Sequence, residues 1–310
     1  MNILKMMIFF IFIIFLSSMV NSQVYKTEEA QLLINKFESN YSNNELGKLR
    51  AIYKKHIRSA DFETGVIERN IPYGNHPLQK IDIHHNQNHL GKSPVIIFIH
   101  GGAFVRGDKS DTEIFDNVLN YFARYNFTGI NANYRLAPDF KWPSGAIDIG
   151  KILMWIKTNH DDYNLDEKNI FLMGHSAGAA HVATYSLNEE LHINDGIDGV
   201  QGSILLSGIY KNSSEASKVN YYGRNQLNMP FNNIAGRQIP LFVIDAEFDK
   251  LNTQKESIKF IDEICKIQNK CPQHKQILGH NHYSMMYHFN TKDDSIANDI
   301  LIFLNSKLKH

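Results

Sequence analysis

The sequence predicts an α/β fold in which a mostly parallel central sheet is flanked by helices. Short apolar stretches alternate with helix-like stretches over residues 94–308, the order typical of parallel strands joined by crossover helices. Residues 94–99 are apolar almost without interruption, which is typical of a strand buried on both faces. No internal repeat or low-complexity linker divides the series. Residues 23–310 are therefore expected to form a single domain.

Helical and strand-like segments precede the alternating region. Residues 27–57 repeat apolar side chains at helical spacing. They predict an N-terminal helical segment, within residues 23–60, that packs across the domain as a possible cap. Residues 66–71 and 80–83 look like strands parted by a turn-rich stretch.

The alternating region continues in a regular order. Strands are predicted at residues 94–99, 127–134, 169–173, 204–206, 240–244 and 274–278, and helices at 111–125, 146–157, 177–187, 254–267 and 295–308. Residues 209–238, rich in Asn, Ser, Tyr and Gly, interrupt this order. We expect them to form an insertion near a binding site.

Composition excludes some classes of protein but names no chemistry. The 310 residues include 32 Lys+Arg and 32 Asp+Glu, so the formal net charge is 0, and 43% of the residues are hydrophobic. Proteins that bind nucleic acid or anionic membranes usually carry a basic excess, so neither partner is indicated. The balance of apolar and charged residues is that of an ordinary globular domain.

Residues 1–22 have the pattern of an export signal. A lysine precedes 11 consecutive apolar residues, and Val20 and Ser22 suit the −3 and −1 positions of a cleavage site before Gln23. The apolar run is shorter than the roughly 20 residues that span a bilayer, so cleavage is favoured over a permanent anchor. The mature protein is expected to be secreted or periplasmic, with no stable membrane anchor.

The chain has two cysteines, Cys265 and Cys271. In an oxidising compartment they could close one small loop, and the alternative is a pair of thiols. The sequence leaves both open. No histidine stands beside them at the spacing of a zinc site, so no metal site is expected.

The strongest chemical signal is the segment Gly174-His175-Ser176-Ala177-Gly178, which directly follows a predicted strand. Glycines on both sides of the serine allow the sharp, strained strand-to-helix turn that exposes a nucleophile. The turn also aims the backbone N–H of Ala177 at the same space, at the positive end of a helix. Ser176 is the candidate nucleophile. The alternative is a glycine-rich turn that holds an inert serine.

A second motif, His100-Gly101-Gly102-Ala103-Phe104, follows the predicted strand at 94–99. Adjacent glycines let backbone N–H groups turn toward a ligand without interference from side chains. Such groups stabilise the oxyanion of a tetrahedral intermediate. Gly101 and Gly102, together with Ala177, are the candidate oxyanion-hole donors.

An activated serine needs a base and a carboxylate that orients the base, in the chain order serine, acid, histidine. Asp245, Glu247 and Asp249 follow the predicted strand at 240–244. Asp249 lies furthest beyond the strand end, where active sites of parallel sheets gather, and is the preferred acid.

The candidate bases follow the predicted strand at 274–278. His280 and His282 can each serve, and His288 is a more distant third. The stretch of sequence between Asp249 and His282 is long enough for one helix and one strand. The other histidines, among them His84, His85 and His89, are expected at the surface.

Taken together, these motifs resemble the α/β-hydrolase superfamily, in the branch of hormone-sensitive-lipase-like esterases, kynurenine formamidases and feruloyl-esterase-like (BD-FAE) enzymes. The HGGAF and GHSAG segments match that branch. So do Asn133-Tyr134-Arg135-Leu136-Ala137-Pro138 with Trp142-Pro143 and Asp148, and the hairpin motifs at 71–74 and 81–83. The resemblance covers about residues 65–308 and implies an α/β-hydrolase fold.

Carried over by position, the resemblance implies Ser176 as nucleophile, Asp249 as acid and His282 as base. His282 is preferred because the family's histidine is commonly followed by an aromatic residue or Leu and then a small polar residue, here Tyr283-Ser284. Ala103 replaces the third glycine of the lipase-like members. This favours the formamidase and feruloyl-esterase side without deciding the substrate.

The expected function is that of a serine carboxylesterase that cleaves small carboxylic esters through an acyl-enzyme. One alternative is an arylformamidase or amidase with the same triad, and another is a non-catalytic binding protein on the same fold. The triad chemistry needs neither a cofactor nor a metal. The expected partner is a small-molecule ester, and the oligomeric state stays open.

Overall fold

The computed structural model describes residues 27–36, 42–58, 65–110, 114–192, 199–211, 220–223, 229–232, 234, 238–293 and 295–309. The predicted export signal at residues 1–22 lies outside these residues. So does much of the predicted insertion at 209–238.

A single sheet of eight strands runs through the described part of the chain, in the order β1-β2-β4-β3-β5-β6-β7-β8. β1 and β2 form an antiparallel hairpin, β2 pairs antiparallel with β4, and all later pairings are parallel. The strands are β1 (Gly65–Pro72), β2 (Lys80–Asn86), β3 (Ser93–Ile99), β4 (Thr128–Ala132), β5 (Leu165–His175), β6 (Val200–Leu206), β7 (Leu241–Ala246) and β8 (Gln273–Ile277). The predicted mostly parallel sheet is confirmed.

Helices cover both faces of this sheet. They are α1 (Glu28–Asn35), α2 (Asn43–Lys54), α3 (Phe115–Ala123), α4 (Ser144–Asn159), α5 (Ala177–Leu187), α6 (Leu251–Gln268), α7 (Ser284–Tyr287) and α8 (Ser295–Asn305). Residues of α1, α2, α3, α7 and α8 form one core, and residues of α4, α5 and α6 form the other. β3 supplies both: Ile96 and Phe98 point into the first core, and Ile97 and Ile99 into the second.

The parallel register brings the carboxyl ends of the central strands to one edge of the sheet. Ile99 of β3 is level with Gly174 of β5, and His175 is level with Leu206 of β6. The loops that leave these strands therefore meet, which is where parallel sheets place their ligand sites.

The N-terminal helices pack across this same region. α2 begins with a capping box, in which Ser42 Oγ accepts from the backbone N–H of Glu45 and the Glu45 carboxylate accepts from Ser42 N–H. The rings of Tyr53 in α2 and Tyr287 in α7 meet edge to face at 6.2 Å. These helices thus lie against the polypeptide that follows β8.

His84 is buried, so the expectation that it lies at the surface is wrong. Its strand, β2, lies between β1 and β4, and α3 covers it. Nδ1 of its ring lies 3.0 Å from Asn120 Oδ1, and Nε2 lies 3.3 Å from Asp116 Oδ1.

Cys265 and Cys271 form a disulfide between the last turn of α6 and the loop that precedes β8. Of the two alternatives that the sequence leaves open, the structure has the bridge. No helix in the described ranges combines the length and the apolar character needed to cross a bilayer.

Candidate active site

Ser176 occupies a strained turn between β5 and α5. Its backbone has φ 55° and ψ −117°, a conformation that residues with a side chain rarely adopt. The glycines on either side permit the turn, because a Cβ on Gly174 would overlap the carbonyl of Gly178, and a Cβ on Gly178 would overlap that of Ile99. Only 7% of Ser176 is exposed, yet it lies in the lining of a large cleft.

The loop after β3 lies directly beside Ser176. A Cβ on Gly101 would be 3.1 Å from Cβ of Ser176, so a larger residue would crowd the serine. Gly102 has φ 140°, and the next two residues, Ala103 and Phe104, also have positive φ. The loop therefore turns sharply and places Gly101 and Gly102 in the lining of the cleft, while Ala177 opens α5 next to Ser176.

Polar contacts brace this loop against the segment after β4. Nδ1 of the buried His100 lies 2.7 Å from the Gly101 carbonyl oxygen, and Nε2 lies 3.2 Å from Asn133 Oδ1. The Tyr134 hydroxyl donates to the His100 carbonyl at 3.0 Å. The same Asn133 amide oxygen accepts from the backbone N–H of Lys109 at 2.6 Å. Both ends of the loop are thus held by neighbouring residues of one segment.

Asp249 is the acidic residue that the structure brings to an imidazole in the cleft. Its Oδ1 lies 3.1 Å from His282 Nδ1, and its Oδ2 accepts from the backbone N–H of Ala246 at 3.0 Å. Asp245 instead accepts a hydrogen bond from Ser257 Oγ and contacts His274 Nε2. The exposed Glu247 accepts one from the backbone N–H of Gly279.

Of the three candidate histidines, His282 meets Asp249. His280 is buried against Asp293, with Nε2 3.1 Å from Oδ2, and His288 is buried with Nδ1 2.7 Å from the Met285 carbonyl. Both are absent from the cleft lining, which contains His282. The structure therefore pairs the acid and the histidine that the family resemblance implies, and Ser176 and His282 line the same cleft.

His175 connects the serine turn to the histidine loop. Its Nε2 lies 2.9 Å from the His282 carbonyl oxygen, and the two imidazole centroids are 4.5 Å apart. Burial, with a smaller effect of His282, lowers the pKa of His175 well below its usual range. His175 is accordingly neutral near pH 7, and because a carbonyl only accepts, Nε2 carries the proton.

Two residues of the site carry no recognisable motif. Ser207 is buried with φ 44°, and its hydroxyl donates to Asp249 Oδ2 beside the sulfur of Met285. Asn281 accepts from the backbone N–H groups of Tyr283 and Ser284, and its Nδ2 donates to the Ile34 carbonyl in α1 at 3.2 Å. The signal that could have found Ser207 is its position, directly after β6 at the functional edge of the sheet.

The cleft has a volume of about 980 Å³ and draws its walls from several elements. α2 contributes Leu46 and Arg50, so the N-terminal helical segment forms one wall. Across the described residues, nowhere do three or more His, Cys, Asp or Glu side chains converge as metal ligands would. What the site does present is a carboxylate in contact with an imidazole, in a cleft that the strained serine also lines.

Known proteins resemble this chain both in sequence and in fold. Residues 81–227 match the BD-FAE family model. Esterase B from Lactobacillus rhamnosis, in a structure with a tributyrin phosphonate inhibitor, superposes with a TM-score of 0.70 at 17% identity, covering 90% of this chain and 96% of that one. A bacterial heroin esterase superposes with a TM-score of 0.63 at 18% identity, covering 92% and 98%. The chain has the α/β-hydrolase fold of these esterases.

Curated esterases are similar to this chain over shorter segments. Esterase LipC of Mycobacterium tuberculosis is 32% identical over 114 residues, which are 36% of this chain and 28% of that protein. Carboxylesterase 20 of Arabidopsis thaliana is 36% identical over 91 residues, 28% of each chain. These alignments span less than a third of either relative's length.

Proposed function

We propose that the protein is a serine carboxylesterase that cleaves small carboxylic esters through an acyl-enzyme. The observation that carries the proposal is the 3.1 Å contact between Asp249 Oδ1 and His282 Nδ1, in the cleft that Ser176 lines. The relatives named above, an esterase and a carboxylesterase, support ester over amide as the bond that is cleaved.

In the proposed mechanism, Ser176 attacks the acyl carbonyl while His282 accepts the hydroxyl proton. Asp249 holds the imidazole by its Nδ1 and stabilises the positive charge that forms on the ring. The backbone N–H groups of Gly101, Gly102 and Ala177 receive the negative charge on the carbonyl oxygen. His282 then protonates the leaving alcohol, and water repeats the sequence to release the acid.

A comparison of rates on p-nitrophenyl butyrate tests the proposal. Ser176→Ala is expected to lower kcat by about 10⁴-fold or more, because removal of a triad nucleophile leaves only binding and the oxyanion hole. Ser306→Ala, which removes a hydroxyl outside the cleft lining, is the control and keeps the wild-type rate. A Ser176→Ala variant with near-wild-type kcat would refute the mechanism.

The same assay separates the alternatives. An N-formyl aryl amine is offered beside the ester at equal concentration. Turnover of the amide far above that of the ester would replace the esterase proposal with an arylformamidase. Folded wild-type protein that turns over neither substrate would support a non-catalytic binding protein.

We also propose that the protein is exported after cleavage before Gln23. The Cys265–Cys271 disulfide supports this, since structural disulfides persist in oxidising compartments. Mass spectrometry of the protein recovered from a secreting host gives the mature N-terminus. Recovery of the uncleaved chain with the cells would contradict the proposal.

A further inference from the structure

Arg106 presents a cationic side chain to the cleft from a rigid position beside the candidate oxyanion donors. Its backbone N–H donates to the Gly102 carbonyl at 3.1 Å, and the same carbonyl accepts from Val105 at 3.2 Å. The buried ring of Phe104 stacks on Tyr221 at 4.0 Å and anchors the turn. The backbone of Arg106 is thus fixed relative to Gly102.

The guanidinium of Arg106 is available to a ligand. Arg106 is exposed and lines the cleft, and in the described ranges no carboxylate or carbonyl pairs with its side chain. Burial raises the pKa of Tyr283, and the positive charge of Arg106 opposes that rise. The guanidinium therefore interacts electrostatically with Tyr283, the residue that follows His282.

The rest of the cleft lining does not neutralise this charge. Besides Arg106 it contains two cations, Arg50 and Lys250, and two carboxylates, Asp108 and Glu256. Asp108 is occupied elsewhere, because it accepts from Asn133 Nδ2 and from the backbone N–H of Ser110, both at 2.7 Å. The lining thus carries three cations and two carboxylates, and this excess of one positive charge favours an anionic group near Arg106.

We propose that Arg106 selects esters that carry a second, ionised carboxyl group, which its guanidinium binds through two parallel N–H donors. The planar guanidinium matches a carboxylate in this way, whereas a lysine offers a point charge. This inference rests on the proposed esterase function and specifies its substrate class. The carboxylate can belong to the acyl part or to the alcohol part of the ester.

Two matched substrate pairs test the inference. Mono-p-nitrophenyl glutarate is compared with p-nitrophenyl pentanoate for an acyl-side carboxylate, and p-butanoyloxybenzoate with p-butanoyloxybenzamide for an alcohol-side one. Arg106→Gln is expected to lower kcat/KM about tenfold for the charged member of at least one pair, mainly through KM, and to affect the neutral member much less. The pair that responds identifies the side of the ester that carries the charge.

The controls distinguish a specific contact from a general effect. Arg106→Lys keeps the charge and is expected to retain part of the preference. Lys259→Gln removes an exposed cation of α6 outside the cleft lining and leaves the preference unchanged. Added salt weakens the preference of the wild type and has little effect on Arg106→Gln.

The inference and the proposed function fail in different ways. Equal losses on both members of each pair in Arg106→Gln, or no loss on either, overturn the role of Arg106 while ester hydrolysis stands. Absence of hydrolysis of both the neutral and the charged esters by the wild type overturns the esterase proposal itself.

Discussion

At the residue scale, the choice of His282 over His280 rests on their partners. His282 Nδ1 contacts Asp249 in the cleft, whereas His280 is buried against Asp293 on another side of the loop. We predict that His282→Gln lowers kcat/KM by about 10⁴-fold or more with little change in melting temperature. His280→Gln is expected to lower the melting temperature with little change in kcat/KM, because it removes a buried contact with Asp293. Greater loss of kcat/KM in folded His280→Gln would reverse the assignment.

Ser207 provides a second test at this scale. Its hydroxyl donates to Asp249 Oδ2, so Ser207→Ala leaves a buried carboxylate with one donor fewer and frees it to turn from His282. We predict a fall in kcat/KM of about tenfold or more on a neutral ester. Ser186→Ala is the matched control, since it also removes a buried hydroxyl contact, the 2.8 Å one to Ser203 Oγ, away from the cleft. Equal kinetic effects in the two variants would show that Ser207 acts on stability alone.

The residues of the site differ in how far sequence could predict them. The turn around Ser176 is a local motif, and five adjacent residues are enough to indicate it. The pairing of Asp249 with His282 depends on how β7 and β8 lie side by side. Position along the chain favoured Asp249 among three acids, but it left His280 and His282 both open. Ser207 is a single polar residue without a motif, and only the register of β6 reveals its role.

At the scale of elements, α5 packs closely against the end of β3. A Cβ on Gly178 would overlap the Ile99 carbonyl oxygen, which belongs to backbone and has no room to shift. We predict that Gly178→Ala lowers the free energy of unfolding by about 1–3 kcal/mol. Gly47→Ala is the control, because Gly47 is exposed in α2 with open space around it. It is expected to raise stability by about 0.8–1 kcal/mol. Urea unfolding gives both values, and similar shifts in the two variants would contradict this packing.

Elements with a clear apolar period were the most predictable. The helix predicted at 177–187 coincides with α5 (Ala177–Leu187), and the predicted buried strand at 94–99 lies within β3 (Ser93–Ile99). β5 begins at Leu165, four residues before the prediction, since the polar residues 166–169 that follow Leu165 interrupt the apolar signal. α7 (Ser284–Tyr287) escaped prediction because a single helical turn is too short to show a period.

For the whole molecule, the placement of the N-terminal segment is the part that sequence left least defined. The hydrogen bond between Asn281 and Ile34 joins residues 247 positions apart. Local periodicity predicts α1 and α2 as helices but carries no information about such a distant partner. The structure places α2 as a wall of the cleft, next to the loop that holds His282.

Buried histidines set the predicted dependence of global stability on pH. Burial lowers the pKa of His100 and His175, that of His181 to about 3 and that of His288 to about 4. In the unfolded chain these imidazoles take up protons near pH 6.5, so there the unfolded state binds more protons than the folded one. Burial raises the pKa of Asp245, so protonation of this carboxyl on acidification favours the folded state. This effect of one carboxyl on stability does not offset that of four imidazoles.

We therefore predict that the free energy of unfolding falls as pH drops from about 6.5 to 4.5. Each neutral buried histidine contributes a slope of up to about 1.4 kcal/mol per pH unit in this window. Urea unfolding at a series of pH values and constant ionic strength measures the slope. A free energy of unfolding that stays flat or rises on acidification would contradict the burial of these rings as neutral groups.

The central claim, that Ser176 is a hydroxyl activated by His282, is tested most directly by labelling with a fluorophosphonate. Intact mass and peptide mapping of the folded protein are predicted to show one adduct, on Ser176, that is lost in Ser176→Ala and forms far more slowly in His282→Gln. Unlabelled wild-type protein, an adduct on a different residue, or an undiminished labelling rate in His282→Gln would contradict the claim.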